Sequence, residues 1–123
     1  MAKSKEDHPR ILVLEDELLI AMELAVLIER GLNIVVGPAR SCPEALDLIA
    51  ALKIDAAILD LQVRDEDCSP VADELDARKI PWALCTGFSA SDLDSRFKSV
   101  PLISKPFRQG EIERTLSQML RQV

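Results

Sequence analysis

The chain has 123 residues, 48% hydrophobic and 29% charged, which suits one globular domain with a sizeable core. Its net charge of −6 and lack of a Lys/Arg block argue against direct binding to nucleic acid, which needs clustered cations. No apolar run approaches bilayer length and the first eight residues hold no apolar signal core, so a cytoplasmic protein without membrane insertion is expected.

In chain order, residues 1–9 are polar and are expected to form a flexible tail, with the ordered domain spanning 10–123. Residues 10–14 (Arg-Ile-Leu-Val-Leu) make a first strand, followed by Glu15, Asp16 and Glu17. A helix is predicted over 18–30, where Leu, Ala, Met and Glu dominate and Gly31 supplies a stop. A second strand over 33–36 should close at Gly37-Pro38. Ser41 and Glu44 fit a capping box opening a helix to about Leu52, with Ala45, Leu48, Ile49 and Leu52 on one face.

The run Asp55-Ala56-Ala57-Ile58-Leu59-Asp60 sets four apolar residues between two acids. That pattern suits a strand buried on both faces, with carboxylates allowed only at its ends. Residues 61–68 read as a charged loop, and Ser69-Pro70 as N-cap and first turn of a helix to about Lys79. A fourth strand over 81–85 starts at Pro81 and leads into Thr86-Gly87. A short helix over 89–97, a fifth strand over 102–104 and a last helix over 109–121 complete the chain; the last helix carries Ile112, Leu116, Met119 and Leu120 on one stripe. Five strand–helix units in alternation predict an α/β fold with a parallel sheet covered on both faces.

Cys42, Cys68 and Cys85 are odd in number and form no C-x-x-C, so reduced thiols are expected rather than a disulfide or a zinc site. His8 has no His or Cys partner for a metal, and Trp82 is expected to cover a sheet face. Neither a P-loop nor a G-x-G-x-x-G occurs, which disfavours nucleotide binding.

Parallel strands all end on one edge of their sheet, so Glu15, Asp16, Asp60, Thr86 and Lys105 should converge there. Three carboxylates so close repel one another unless a cation lies among them. Oxygen-only ligands favour Mg²⁺ (or Mn²⁺) over zinc or copper. An Asp in such a crevice can act as a nucleophile toward phosphorus, with a metal and an ammonium offsetting the charge of the phosphoryl group.

The motifs Leu14-Glu15-Asp16, Ile58-Leu59-Asp60-Leu61, Cys85-Thr86-Gly87 and Lys105-Pro106-Phe107, in this order at strand ends, resemble the receiver domains of two-component response regulators. The resemblance implies a doubly wound, flavodoxin-like (βα)5 domain with strand order 2-1-3-4-5. It implies a phosphoacceptor Asp60 that takes its phosphoryl group from a sensor histidine kinase or phosphotransfer protein. Glu15, Asp16, Asp60 and the backbone carbonyl of Gln62 would then hold the metal. Thr86 and Lys105 would contact the phosphoryl group, and the Lys105–Pro106 bond would be cis. Output would pass to a downstream protein through the fourth helix, fifth strand and fifth helix. Leu102 stands where the family often has an aromatic switch residue, and the Trp82–Phe88 segment resembles that of an atypical, free-standing subgroup lacking that switch. Gln62 and Phe88, each two residues past a site residue, are the expected rate-tuning positions. The expectation is thus a signalling phosphoacceptor, not an enzyme, although it can catalyse its own phosphorylation and dephosphorylation. Two alternatives are an Asp-nucleophile, Mg²⁺-dependent phosphohydrolase, disfavoured by Gln62 where a second acid is usual, and a phosphorylation-independent binding module.

Overall fold

Arg10 and the aliphatic run that follows it form strand β1, Arg10–Leu14, buried over its last four residues. A computed structural model describes residues 8–60, 62–63, 66–86 and 100–121. In chain order the elements are β1, α1 (Leu18–Arg30), β2 (Ile34–Ala39), α2 (Cys42–Ala51), β3 (Ala56–Leu59), β4 (Gln62–Val63), β5 (Glu66–Asp67), α3 (Ser69–Ala77), β6 (Trp82–Thr86), β7 (Leu102–Ser104) and α4 (Gln109–Leu120). The main sheet runs β2-β1-β3-β6-β7 with every neighbouring pair parallel, the expected order 2-1-3-4-5. The helix predicted over 89–97 lies outside the described residues, as do Leu61 and Phe88.

Strand alternation sorts the core into two layers. Leu12, Leu14, Ala57, Leu59, Trp82 and Leu84 face α2 and α3. Ile11, Val13, Ala56, Ile58, Ala83, Cys85 and Ile103 face α1 and α4. β3 is buried at all four positions, as a strand covered on both faces must be. Trp82 covers the sheet as expected, and its indole N–H donates to Asp76 at 2.9 Å. On the last helix Thr115 is buried beside Ile112, Leu116 and Met119, while Leu120 is half-buried.

Several local details depart from the sequence reading. The second strand does not stop at Gly37-Pro38 but continues through it to Ala39, with a register shift against β1. It is an edge strand, where proline costs no ladder hydrogen bond, and Gly37 takes the turn at φ +98. Both Gly37–Pro38 and the expected Lys105–Pro106 bond are cis. Ser41 caps α2 by accepting from Glu44 N at 3.3 Å, but the Glu44 carboxylate reaches back to Arg40 N (3.1 Å) instead of closing the capping box on Ser41. Leu52, expected on the inner face, is the exposed C-cap of α2. Residues 62–67 are not all loop: β4 and β5 pair antiparallel as a small hairpin. Cys68, rather than Ser69, is the N-cap of α3.

The largest correction concerns cysteine. Cys42 and Cys68 form a disulfide with Cα atoms 5.5 Å apart, and the free thiol among the described residues is the buried Cys85. Counting parity misses this because α2 and α3 pack together on one sheet face, which brings the first residue of α2 beside the N-cap of α3. The bond closes a sequence separation of 26 residues, which the chain-entropy account values at about 3.5 kcal/mol.

A Cβ on Gly37 would lie 2.5 Å from Ala39 N and 3.2 Å from Val13 O. Gly37→Ala is therefore expected to lower the unfolding free energy by about 2 kcal/mol, read from the urea midpoint, whereas Gly110→Ala, with open space around it, should leave that midpoint at or above its original value.

Candidate functional site

The carboxyl edge of the sheet is laced by backbone hydrogen bonds before any side chain is considered. Asp60 N–H donates to Leu14 O at 2.9 Å, and Glu15 N–H to Ala39 O at 3.0 Å. Residues just past β1, β2 and β3 are thereby fixed relative to one another. On this frame, Glu15, Asp16 and Asp60 bring carboxylate oxygens within 4.8 Å of one another. Asp55, at the opposite end of β3, serves the fold instead, its carboxylate accepting from Arg10 N at 2.8 Å.

Lys105 enters from the other side. The Thr86↔Ser104 pairing at the ends of β6 and β7 places it at the same edge. Its Nζ donates to Glu15 Oε1 at 2.9 Å and lies 3.7 Å from Asp60 Oδ2. Glu15 is fully buried, and its second oxygen accepts from Glu17 N at 3.1 Å.

Burial pushes the Glu15 carboxyl above its ordinary value of 4.5, with the Lys105 and Glu17 hydrogen bonds opposing the rise and the Asp60 charge adding to it. Burial acts to lower Lys105, but the Glu15 hydrogen bond and the negative charges around it outweigh that and hold the ammonium above its usual 10.5. Burial pushes the Cys85 thiol up to about 12, with Lys105 opposing and Asp60 and Glu15 reinforcing.

The donor set is all oxygen and clustered, with Lys105 beside it, which fits a hard divalent cation such as Mg²⁺. Of the residues singled out from the sequence, Glu15, Asp16, Asp60 and Lys105 are brought together. Thr86 closes β6 beside them, but its side chain, like that of Gln62, lies outside the described residues, as does the whole of Phe88. Leu102 opens β7 opposite Leu84 and packs half-buried against the α2/α3 layer. Sequence reasoning missed Arg40, whose guanidinium donates to Asp16 O at 3.3 Å. The signal was present but obscured: Arg40 follows the end of β2, which the sequence reading placed three residues too early.

No family model matches the chain. SdrG from Sphingomonas melonis Fr1 superposes with a TM-score of 0.83 at 39% identity, over 96% of this chain and 99% of SdrG. The BeF3-activated conformation of SdrG from Pseudomonas melonis Fr1 gives 0.80 at 40% identity, over 90% and 95%. The response regulator PhyR from Brucella abortus gives 0.81 at 31% identity, over 93% of this chain and 48% of PhyR. The chain belongs to the response-regulator receiver family. Among curated relatives, the transcriptional regulatory protein PdtaR of Mycobacterium tuberculosis is 33% identical to this receiver over 107 residues, 84% of this chain and 52% of PdtaR. The receiver spans about half the length of the curated relatives it matches. Among its described residues, no helix is long and apolar enough to cross a membrane.

The raised groups have a pH signature. Cys85 and Lys105 keep their protons to higher pH in the fold than in the unfolded chain, so the stability Cys85 confers is complete below about pH 9 and falls as pH rises toward 12, and that of Lys105 is complete below its usual 10.5 and falls as pH rises through its raised value. Glu15 acts with the same sign from pH 4.5 upward through its raised value, unlike a carboxylate whose pKa is depressed. Urea unfolding between pH 8 and pH 11 should show a decline of up to about 1.4 kcal/mol per pH unit per proton retained. Cys85→Ala should make that decline shallower; an unchanged slope would contradict the assignment to Cys85.

Proposed function

We propose that this receiver accepts a phosphoryl group on Asp60 from a sensor histidine kinase or phosphotransfer protein, in a Mg²⁺-dependent reaction, and signals through altered binding to a downstream protein. The observation that carries this reading is the meeting of Glu15, Asp16, Asp60 and Lys105 at the carboxyl edge of the sheet. The existence of a BeF3-activated conformation of SdrG supports it, since that fluoride is a tetrahedral stand-in for a phosphoryl group.

In this reading an Asp60 oxygen attacks phosphorus in line with the P–N bond of a phosphohistidine; that bond breaks and the imidazole, already carrying a proton on its other ring nitrogen, leaves neutral. Asp16, Asp60, Glu15 and the Gln62 carbonyl would hold a divalent cation, which supplies charge neutralisation to the phosphoryl oxygens. Lys105 is already 3.7 Å from Asp60, and Glu15 fixes its ammonium there. Thr86 would donate to a phosphoryl oxygen, while Gln62 and Phe88 would set how readily water reaches the product. Leu102, being aliphatic, would pass the change on through packing rather than through an aromatic rotation.

A protein donor is supported by a stripe that begins two residues after Asp16. Leu18, Met22 and Val26 recur every four residues on α1 with Leu19 beside them, and all four are exposed, Leu19 to 80%. An apolar face adjoining the reactive carboxylate suits the helical surface of the phosphodonor. Residues 89–97, β7 and α4 would form the output face. A cytoplasmic location follows from partnership with such a kinase.

Incubation with Mg²⁺ and acetyl phosphate should yield a single, labile phosphoryl adduct by intact mass, absent in Asp60→Asn and suppressed by chelation. An adduct that survives in Asp60→Asn would overturn the assignment. Multiple turnover on a phosphate ester would favour a hydrolase, and no adduct from acetyl phosphate or kinase a phosphate-independent binding module.

A further inference from the structure

We propose that the Cys42–Cys68 pair is a reversible thiol–disulfide site that clamps together the two segments flanking the acidic cluster, so that redox state sets how firmly the site is held. The consequence for phosphoryl uptake rests on the reading of Asp60 as phosphoacceptor; the clamp itself does not.

The bond joins the segment that follows β2 to the segment that follows β3. Cys42 opens α2, and the residues just before it hold the acidic pair: Ala39 O accepts from Glu15 N at 3.0 Å, and Arg40 donates to Asp16 O at 3.3 Å. Cys68 ends the segment that starts at Asp60 and runs through the β4–β5 hairpin. Across it, Asp67 Oδ1 accepts from Ser69 N at 2.9 Å and from Ser69 Oγ at 2.6 Å, so the end of β5 is fastened to α3. The closed ring, 26 residues in separation, therefore contains Asp60 itself. Without the bond, the segment from Asp60 keeps Asp60 N to Leu14 O, the two-residue pairing of β4 with β5 and the Ser69–Asp67 hydrogen bonds, but loses its covalent tie to α2.

The chemistry balances with ordinary cellular reagents. In reduction, the thiolate of a small thiol such as glutathione attacks Cys42, which is 8% exposed against 0% for Cys68. The Sγ–Sγ bond breaks, and Cys68 leaves as a thiolate and takes up a proton. A second thiol then resolves the mixed disulfide, releasing Cys42 as a thiol and the small-molecule disulfide. Departure of an anion at the N-cap of α3 is favoured by the partial positive charge of that helix end. In oxidation, one thiolate attacks a hydroperoxide to give a sulfenic acid and an alcohol or water, and the second thiol displaces water to form the disulfide. Cys85, buried in the opposite layer of the core, takes no part.

The test uses the full chain equilibrated in oxidised and reduced glutathione. Of its three cysteines, one should be alkylated after denaturation of the oxidised form and three after denaturation of the reduced form. Amide exchange over residues 15–16 and 62–67 should be at least about tenfold slower in the oxidised form. Phosphoryl uptake from acetyl phosphate with Mg²⁺ should be at least about threefold faster in that form. Cys42→Ser and Cys68→Ser, each folded by circular dichroism, should match the reduced form and lose all dependence on glutathione. Three alkylated cysteines under every oxidising condition, or equal amide exchange in the two forms, would overturn the proposal. Uptake that occurs at equal rates in both forms would also overturn it. Slower exchange without uptake in either form would leave the clamp standing and remove the phosphoacceptor reading instead.

Discussion

The ammonium of Lys105 lies between two carboxylates at the end of a parallel sheet, 2.9 Å from Glu15 and 3.7 Å from Asp60, and the arrangement of this edge depends on it. A fully buried glutamate cannot remain charged without partners, because desolvation costs several kcal/mol. Glu15 has Lys105 on one oxygen and the Glu17 amide on the other. Beside it, Asp16 and Asp60 bring two more carboxylates within 4.8 Å, so negative charge is concentrated at this edge. That charge is what makes the edge a site rather than a closed salt bridge, and it is why a further cation is suited to it.

The backbone makes this concentration of charge tolerable. β1 and β3 are apolar throughout their buried lengths, so their polar residues are driven to the strand ends. The ladder then locks those ends together through Asp60 N to Leu14 O and Glu15 N to Ala39 O. The acids are not free to splay apart, and the repulsion is carried by the fold. The disulfide acts on the same problem from outside, joining the α2 end to the segment that leaves Asp60.

Much of this was legible in the sequence because it follows from period and topology. The parallel, doubly covered sheet came from strict strand–helix alternation and its strand order from the resemblance to receiver domains, while Glu15, Asp16, Asp60 and Lys105 were found because each stands just past an apolar strand. Gly37-Pro38 misled because the same pair that usually ends a strand can bulge an edge strand and let it continue. That shortened β2 hid Arg40. Cys42 and Cys68 were hidden for a different reason: their meeting depends on two helices sharing a sheet face, which neither parity nor spacing encodes. Glu44 was read by a local rule, and its carboxylate found the Arg40 amide one residue further back. Local rules named the groups; packing decided their partners.

Mg²⁺ titration followed by amide chemical shifts tests the central claim, that the three carboxylates form one cation site, most directly. The account predicts saturable shifts concentrated at residues 15–16 and 60, with affinity weakened at least about tenfold by Asp16→Asn. Equal Mg²⁺ affinity in the original chain and in Asp16→Asn, or shifts spread evenly over the acidic surface, would contradict it.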